Sequence, residues 1–210
     1  MSYFGCCSSC RQYKYYCNCH HQFNNRESAF RAVKTVDQAY TNNTIAVVNF
    51  NFEQFDLNNE YDGISTFIPK EDGLYYIVAN LLFTPEATFA ITAMEIQVNN
   101  IGIAGDLKND VLPILGTSLQ ASTIYPLRRG DLVNVRLASS ANGVILGATD
   151  DFVPHFAAVK LPLCSRFPQS MLPVNGVAIN QANFIQQIQN RRAEIDNMIQ
   201  NLNSLNSSGS

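Results

Sequence analysis

Charge is scarce in this chain: Asp, Glu, Lys and Arg make up only 15% of its 210 residues, and the formal net charge is -3. So small a balance leaves no electrostatic footprint for nucleic acid or an anionic membrane surface, and neither is expected as a partner. Long apolar runs are missing too. No stretch reaches the roughly eighteen residues a membrane-crossing helix requires. The opening MSYFGCCSSCRQYKYYCNCHH lacks the basic-then-apolar shape of a secretory leader, which points to synthesis in the cytoplasm. Catalytic signatures are equally absent, with no G-x-S-x-G elbow, no H-E-x-x-H pair and no phosphate-cradling G-x-x-x-x-G-K. His20 and His21 stand near the N-terminus, His155 at the mouth of a strand, and Asp150 and Asp151 in a turn of solvated carboxylates. No enzyme is expected.

What is present divides the chain into four parts. Residues 1–26 form an arm rich in Cys, Ser, Tyr, Asn and His, with no helical or strand period and too little apolar surface to offset chain entropy, so the arm is expected to be disordered. Residues 27–162 are β-rich. Candidate strands are 45–52, 64–68, 74–83, 89–98, 117–125, 132–138, 144–148 and 155–161, separated by NNEYDG, PKEDG, VNNIG, PLRRGD, SSANG and TDD. Val133, Val135 and Leu137 alternate with Asn134 and Arg136, the pattern of a half-buried strand, whereas LYYIVANLLF is apolar on both faces, as in a central strand. Short strands and turns without an interleaved helical period predict an antiparallel sandwich or barrel. In TFIPKEDGLYY, Pro69 ends one strand, the charged tripeptide stays wet, and Gly73 is expected to supply a backbone angle that other residues resist.

Residues 163–179 hold Pro168, Pro173 and Gly176 and read as a linker. An amphipathic helix over 180–206 follows, with Asn180 as its cap. Ile188, Ile195 and Leu202 recur every seven residues, and Phe184, Met198 and Leu205 lie on an adjacent position. This seam suits either a coiled coil or packing against the chain's own sandwich.

Within the β-rich part, AFRA at 29–32, FNFEQFDLNNEYD at 50–62, TFIPKEDGLYY at 66–76, PLRRGDLVNVRL at 126–137 and FVPHFAAVKL at 152–161 follow one another in a telling order. This succession resembles the globular head of complement C1q, whose jelly roll is shared with tumour necrosis factor. Phe50, Asn59, Tyr61, Asp62, Phe67, Pro69, Gly73, Tyr75, Tyr76, Leu127, Gly130, Asp131, Val133 and Val135 stand at matching places. The chain departs from the pattern at His155, where glycine is customary. The resemblance implies an all-β, antiparallel jelly-roll sandwich that assembles as a homotrimer through an aromatic-rich sheet. Tyr75, Tyr76 and Phe156 are the candidate interface residues, with the intrachain core as their other possible home. It also raises calcium in the apical loops, with Asp106, Asp110 or Asp150 as ligands.

The arm carries the one distinctive chemistry, holding five of the six cysteines: Cys6, Cys7, Cys10, Cys17 and Cys19, with Cys164 apart. The spacing suits two uses. Cys7, Cys10, Cys17, Cys19 and His20 supply enough donors for tetrahedral zinc. Alternatively, all five thiols crosslink chains, because adjacent Cys6 and Cys7 do not readily bond each other without strain. The function expected first is a self-assembling structural protein of a surface layer such as a spore coat or exosporium, joined to other layer proteins by disulfides. The rivals are a recognition module for a glycan or protein, and a metal-binding protein.

Overall fold

The computed structural model describes residues 27–111, 116–149 and 152–162, together with seven positions between 186 and 200. Two antiparallel sheets pack face to face. The seven-stranded sheet holds β1 (Ala29–Val33), β2 (Gln38–Tyr40), β4 (Phe52–Asp56), β6 (Gly73–Pro85), β9 (Thr117–Leu127), β11 (Gly143–Ile145) and β12 (His155–Lys160). The five-stranded sheet holds β3 (Ala46–Val47), β5 (Thr66–Phe67), β7 (Phe89–Val98), β8 (Ile101–Val111) and β10 (Val133–Ser139). Long crossovers between sheets, rather than hairpins alone, give the order β2-β11-β6-β12-β1-β4, with β9 on the other side of β6. This is a jelly-roll sandwich.

β6 is the pivot. β12 pairs with its residues 75–80 and β11 with 83–85 along one edge, while β9 runs along the other. Its period of two sends Tyr75, Ile77, Ala79, Leu81 and Phe83 inward to full burial, where they meet Met94, Ile96, Val133, Val135 and Leu137 from the opposite sheet. An aromatic cluster fills one end of this layer. Phe30 stacks on Tyr61 and Phe67 with ring centroids 5.0 and 4.7 Å apart, and meets Phe156 edge-on at 4.9 Å. Each such pair contributes about 0.5–1.5 kcal/mol beyond the area it buries.

Several strand boundaries differ from expectation, among them 64–68, which shortens to Thr66–Phe67, and 144–148, which becomes Gly143–Ile145. Residues 45–52 are not one strand: β3 joins the five-stranded sheet, and the chain then crosses to place β4 in the other. β2 is a short edge strand. β8 was not foreseen, because IGIAGDLKNDV contains two glycines and scattered charges. It pairs with the whole of β7 through a tight connection in which Asn99 and Asn100 take positive φ, 52° and 69°.

The turn before β6 is held from several directions. Pro69 O accepts the Gly130 N–H at 2.8 Å, Asp72 Oδ1 accepts that of Arg129 at 2.7 Å, and Glu71 pairs with Lys160 at 2.5 Å. Gly73 does not supply the backbone angle its turn suggested. Its φ is not positive; a Cβ there would lie 2.6 Å from Lys160 Cε. Gly130, with φ of 87°, is the glycine that supplies the unusual angle.

In the C-terminal part, Gln186, Gln189, Asn190, Ala193, Glu194, Asn197 and Gln200 are helical and exposed. The linker at 163–179 and the seam positions 184, 188, 195, 198, 202 and 205 lie outside the described residues.

Candidate functional site

The face of the seven-stranded sheet turned away from the core carries the most distinctive surface of the described chain. Register places Ile124 of β9 opposite Tyr76 of β6, Tyr76 opposite Val159 of β12, and Val159 opposite Ala29 of β1. Leu57, whose N–H donates to Ala29 O at 3.0 Å, extends the line. Along it Ile124 is 57% exposed, Tyr76 39%, Val159 41% and Leu57 55%. An apolar row therefore crosses the sheet, spanning roughly 19 Å at the usual strand spacing. The row exposes on the order of a few hundred Å² of apolar surface, comparable to the largest patch on a typical single-chain protein, a patch that is often functional.

The adjoining row runs Ser122, Val78, Ala157, Arg31 and Phe55; the next runs Gln120, Asn80, His155, Val33 and Phe52. Arg31 and His155 are the ionisable groups within these rows. Burial holds the His155 imidazole below its ordinary range, the Val153 carbonyl opposes this, and the Arg31 charge reinforces it. Its backbone N–H donates to Asn80 Oδ1 at 2.7 Å, fixing β12 to β6 beside the ring.

The three aromatic candidates are separated by this geometry. Tyr75 and Phe156 are fully buried within a single chain, so they belong to the intrachain core and not to an outer surface. Tyr75 meets Phe67 at 5.8 Å and donates its hydroxyl to Glu71 O at 2.9 Å, and burial pushes that hydroxyl up to about 12. Tyr76 alone of the three faces outward. Ile124, Val159 and Leu57 were missed: Ile124 stood in a strand with a weak pattern, and only register reveals that these residues align.

Of the calcium candidates, Asp106 accepts the Gln120 N–H at 3.1 Å and pairs with Lys108 at 3.4 Å. The Asp110 side chain and Asp150 lie outside the described residues, as do the arm thiols and His20. Among the described residues no group of three or more His, Cys, Asp or Glu is arranged to hold a metal.

Two buried cations were also unforeseen. Lys34, 1% exposed, donates to Gln38 Oε1 and Asn49 O, each at 3.3 Å, and among the described residues no carboxylate pairs with it. Burial lowers it from 10.5 to about 8, with the more distant Asp37 acting the other way. On the five-stranded sheet Arg136 bonds Asn100, while its Nε and Nη1, Gln97 Oε1 and Asn134 Oδ1 find no hydrogen-bond partner among the described residues. Glu95 accepts from Gln97 Nε2 at 2.8 Å and lies over Gly102, where a Cβ would meet its carboxyl at 3.1 Å.

No protein-family model matches the chain, and no curated protein does. Solved structures do. The tumour necrosis factor Eiger from S. frugiperda superimposes with a TM-score of 0.51 at 10% identity, over 70% of this chain and 99% of its own. Murine APRIL gives 0.50 at 12%, over 64% and 99%. The globular domain of zebrafish complement 1qA gives 0.47 at 13%, over 65% and 98%. At these identities the likeness speaks for the fold. The described domain is a jelly roll of the C1q and tumour necrosis factor type.

Proposed function

We propose that the chain is a non-catalytic structural subunit, a homotrimer that builds a surface layer such as a spore coat or exosporium and is crosslinked through its N-terminal cysteines. The apolar row Ile124–Tyr76–Val159–Leu57 carries the reading. Apolar side chains standing edge to edge across a sheet gain about 25 cal/mol for each Å² removed from water, and a second copy is the partner always present at matching concentration. The shared jelly roll and the resemblance to C1q heads favour three copies over two. Cys6, Cys7, Cys10, Cys17 and Cys19 then place fifteen thiols on each trimer, three times the five per arm, enough to join it to several neighbours.

The test is the mass of the full chain in solution, with and without reductant. In reductant, three chains of 23.3 kDa give a particle of about 70 kDa. Tyr76→Glu with Ile124→Glu, both at exposed positions, leaves the β spectrum unchanged and yields single chains. A wild-type chain that stays at 23.3 kDa overturns the trimer. Without reductant a ladder of crosslinked species is expected. One zinc bound per chain, with thiols shielded from alkylation until a chelator is added, would replace the crosslinks by a metal site.

A further inference from the structure

The five-stranded sheet also has an outward face, and two of its rows are polar. β10 turns Val133, Val135 and Leu137 into the core, leaving Asn134 and Arg136 outward; β7 turns Met94, Ile96 and Val98 inward, leaving Glu95 and Gln97 outward. Register sets Asn134 opposite Gln97 and Arg136 opposite Glu95. Directly opposite side chains stand about 5 Å apart and successive rows about 7 Å, so all four share one small patch. On the other side of β7 the neighbours are glycines, Gly102 beside Gln97 and Gly105 beside Glu95.

The patch is buried but its polar groups are only partly satisfied. Gln97 is 2% exposed, and Glu95 and Arg136 are 6% exposed each. Glu95 accepts from Gln97 Nε2 at 2.8 Å, which fixes the other end of that amide as oxygen. Asn100 accepts from Arg136. Among the described residues no ion pair joins Arg136 to Glu95, and two donors (Arg136 Nε and Nη1) and two acceptors (Gln97 Oε1 and Asn134 Oδ1) find no partner. Buried polar groups are nearly always bonded, so orphans gathered on one patch outline the complement of a ligand. Asn134, partly buried, is the most open of the four.

The mixture selects the chemistry. An anion would suit the guanidinium but meet the Glu95 carboxylate and two amide oxygens. A cation would suit those oxygens but meet the guanidinium. Two neighbouring hydroxyls meet both demands, because each accepts one hydrogen bond and donates another. We propose that Asn134, Arg136, Gln97 and Glu95 form a carbohydrate site that takes a vicinal diol of a neutral sugar. Arg136 donates to the hydroxyls, the Gln97 and Asn134 oxygens accept from them, and Glu95 holds the Gln97 amide in place. The site lies on the other sheet from the apolar row, so it stands whether the chain is single or trimeric. A trimer carries three copies and holds a branched glycan more tightly than one sugar.

The test is saturation-transfer NMR on the full chain in reductant, with the methyl glycosides of glucose, galactose, mannose and N-acetylglucosamine as probes. At least one should bind saturably, with a dissociation constant in about the millimolar range. Asn134→Ala should weaken it about tenfold, and Arg136→Lys, which keeps the charge but not the fork of donors, at least as much. Circular dichroism checks that both variants keep the β fold; if Arg136→Lys unfolds, Asn134→Ala at its more open position decides alone. No binding by any of the four glycosides, or binding unchanged in the folded variants, overturns the site. Binding that requires added calcium assigns the oxygens to a metal and overturns the direct diol contact.

Discussion

Lys34→Met should make the protein more stable at neutral pH and less stable at high pH. The lysine is buried with two long hydrogen bonds at 3.3 Å and no ion pair among the described residues. Burial lowers it from 10.5 to about 8. Because its protonated form is the one folding disfavours, the cost is complete below about pH 8, shrinks as pH rises, and is gone above the unfolded value. At about 1.4 kcal/mol per tenfold in the protonation equilibrium, that cost is roughly 3 kcal/mol at pH 7. Methionine fills similar volume without the charge, while the lost hydrogen bonds offset about 2 kcal/mol. A net gain of about 1 kcal/mol follows at pH 7, turning into a loss of about 2 kcal/mol above pH 10.5, with the two proteins equal near about pH 9. Urea unfolding of both at several pH values reads this directly, and the raised tyrosines cancel because both chains carry them. A stability difference that stays flat between pH 7 and 10.5 would refute the reasoning.

Gly143→Ala should cost at least about 2 kcal/mol, since a Cβ would sit 2.4 Å from Thr84 O and 2.6 Å from Phe83 Cζ, and thermal unfolding will register the loss. His155 acts in the same sense as a salt-bridged carboxylate, losing stability in acid, but at higher pH. Its folded value lies below the ordinary imidazole value of about 6.5, so stability should fall as pH drops through that region, and His155→Gln should remove that part of the slope in unfolding measured from pH 7 to 5. Asp62 is pushed up by burial, but the N–H groups of Thr66, Ser65 and Ile64 outweigh this and hold it low. Asp62→Asn should therefore lose about 1 kcal/mol at pH 7, with the difference fading below pH 4 as the wild-type carboxyl protonates.

The jelly roll was legible because its central strands obey simple rules. Val133, Val135 and Leu137 point inward as their alternation demands, and Phe89–Val98 is bounded by the residues expected. β8 was not legible, because its stability comes from pairing with all of β7 and not from its own apolar pattern. The candidate face was half legible. LYYIVANLLF announces two apolar faces, but which tyrosine points outward depends on the sheet's placement, and the alignment of Ile124 with Tyr76 and Val159 depends on register across three strands. Lys34 ran against every composition rule. A lysine at the end of a strand reads as solvated, and only the crossing of the chain between sheets at Asn49 encloses it.

Tyr75 and Tyr76 are chemically alike neighbours with unlike duties, one locked inside and the other turned to the surroundings. Deleting or inserting a single residue ahead of them would exchange these duties along the length of β6, sending the core's largest side chains into water and drawing Asn80 inside. Length variation in this chain is therefore tolerable at the Glu86–Thr88 connection but ruinous between Gly73 and Phe83, where volume-conserving swaps of one apolar residue for another cost little by comparison.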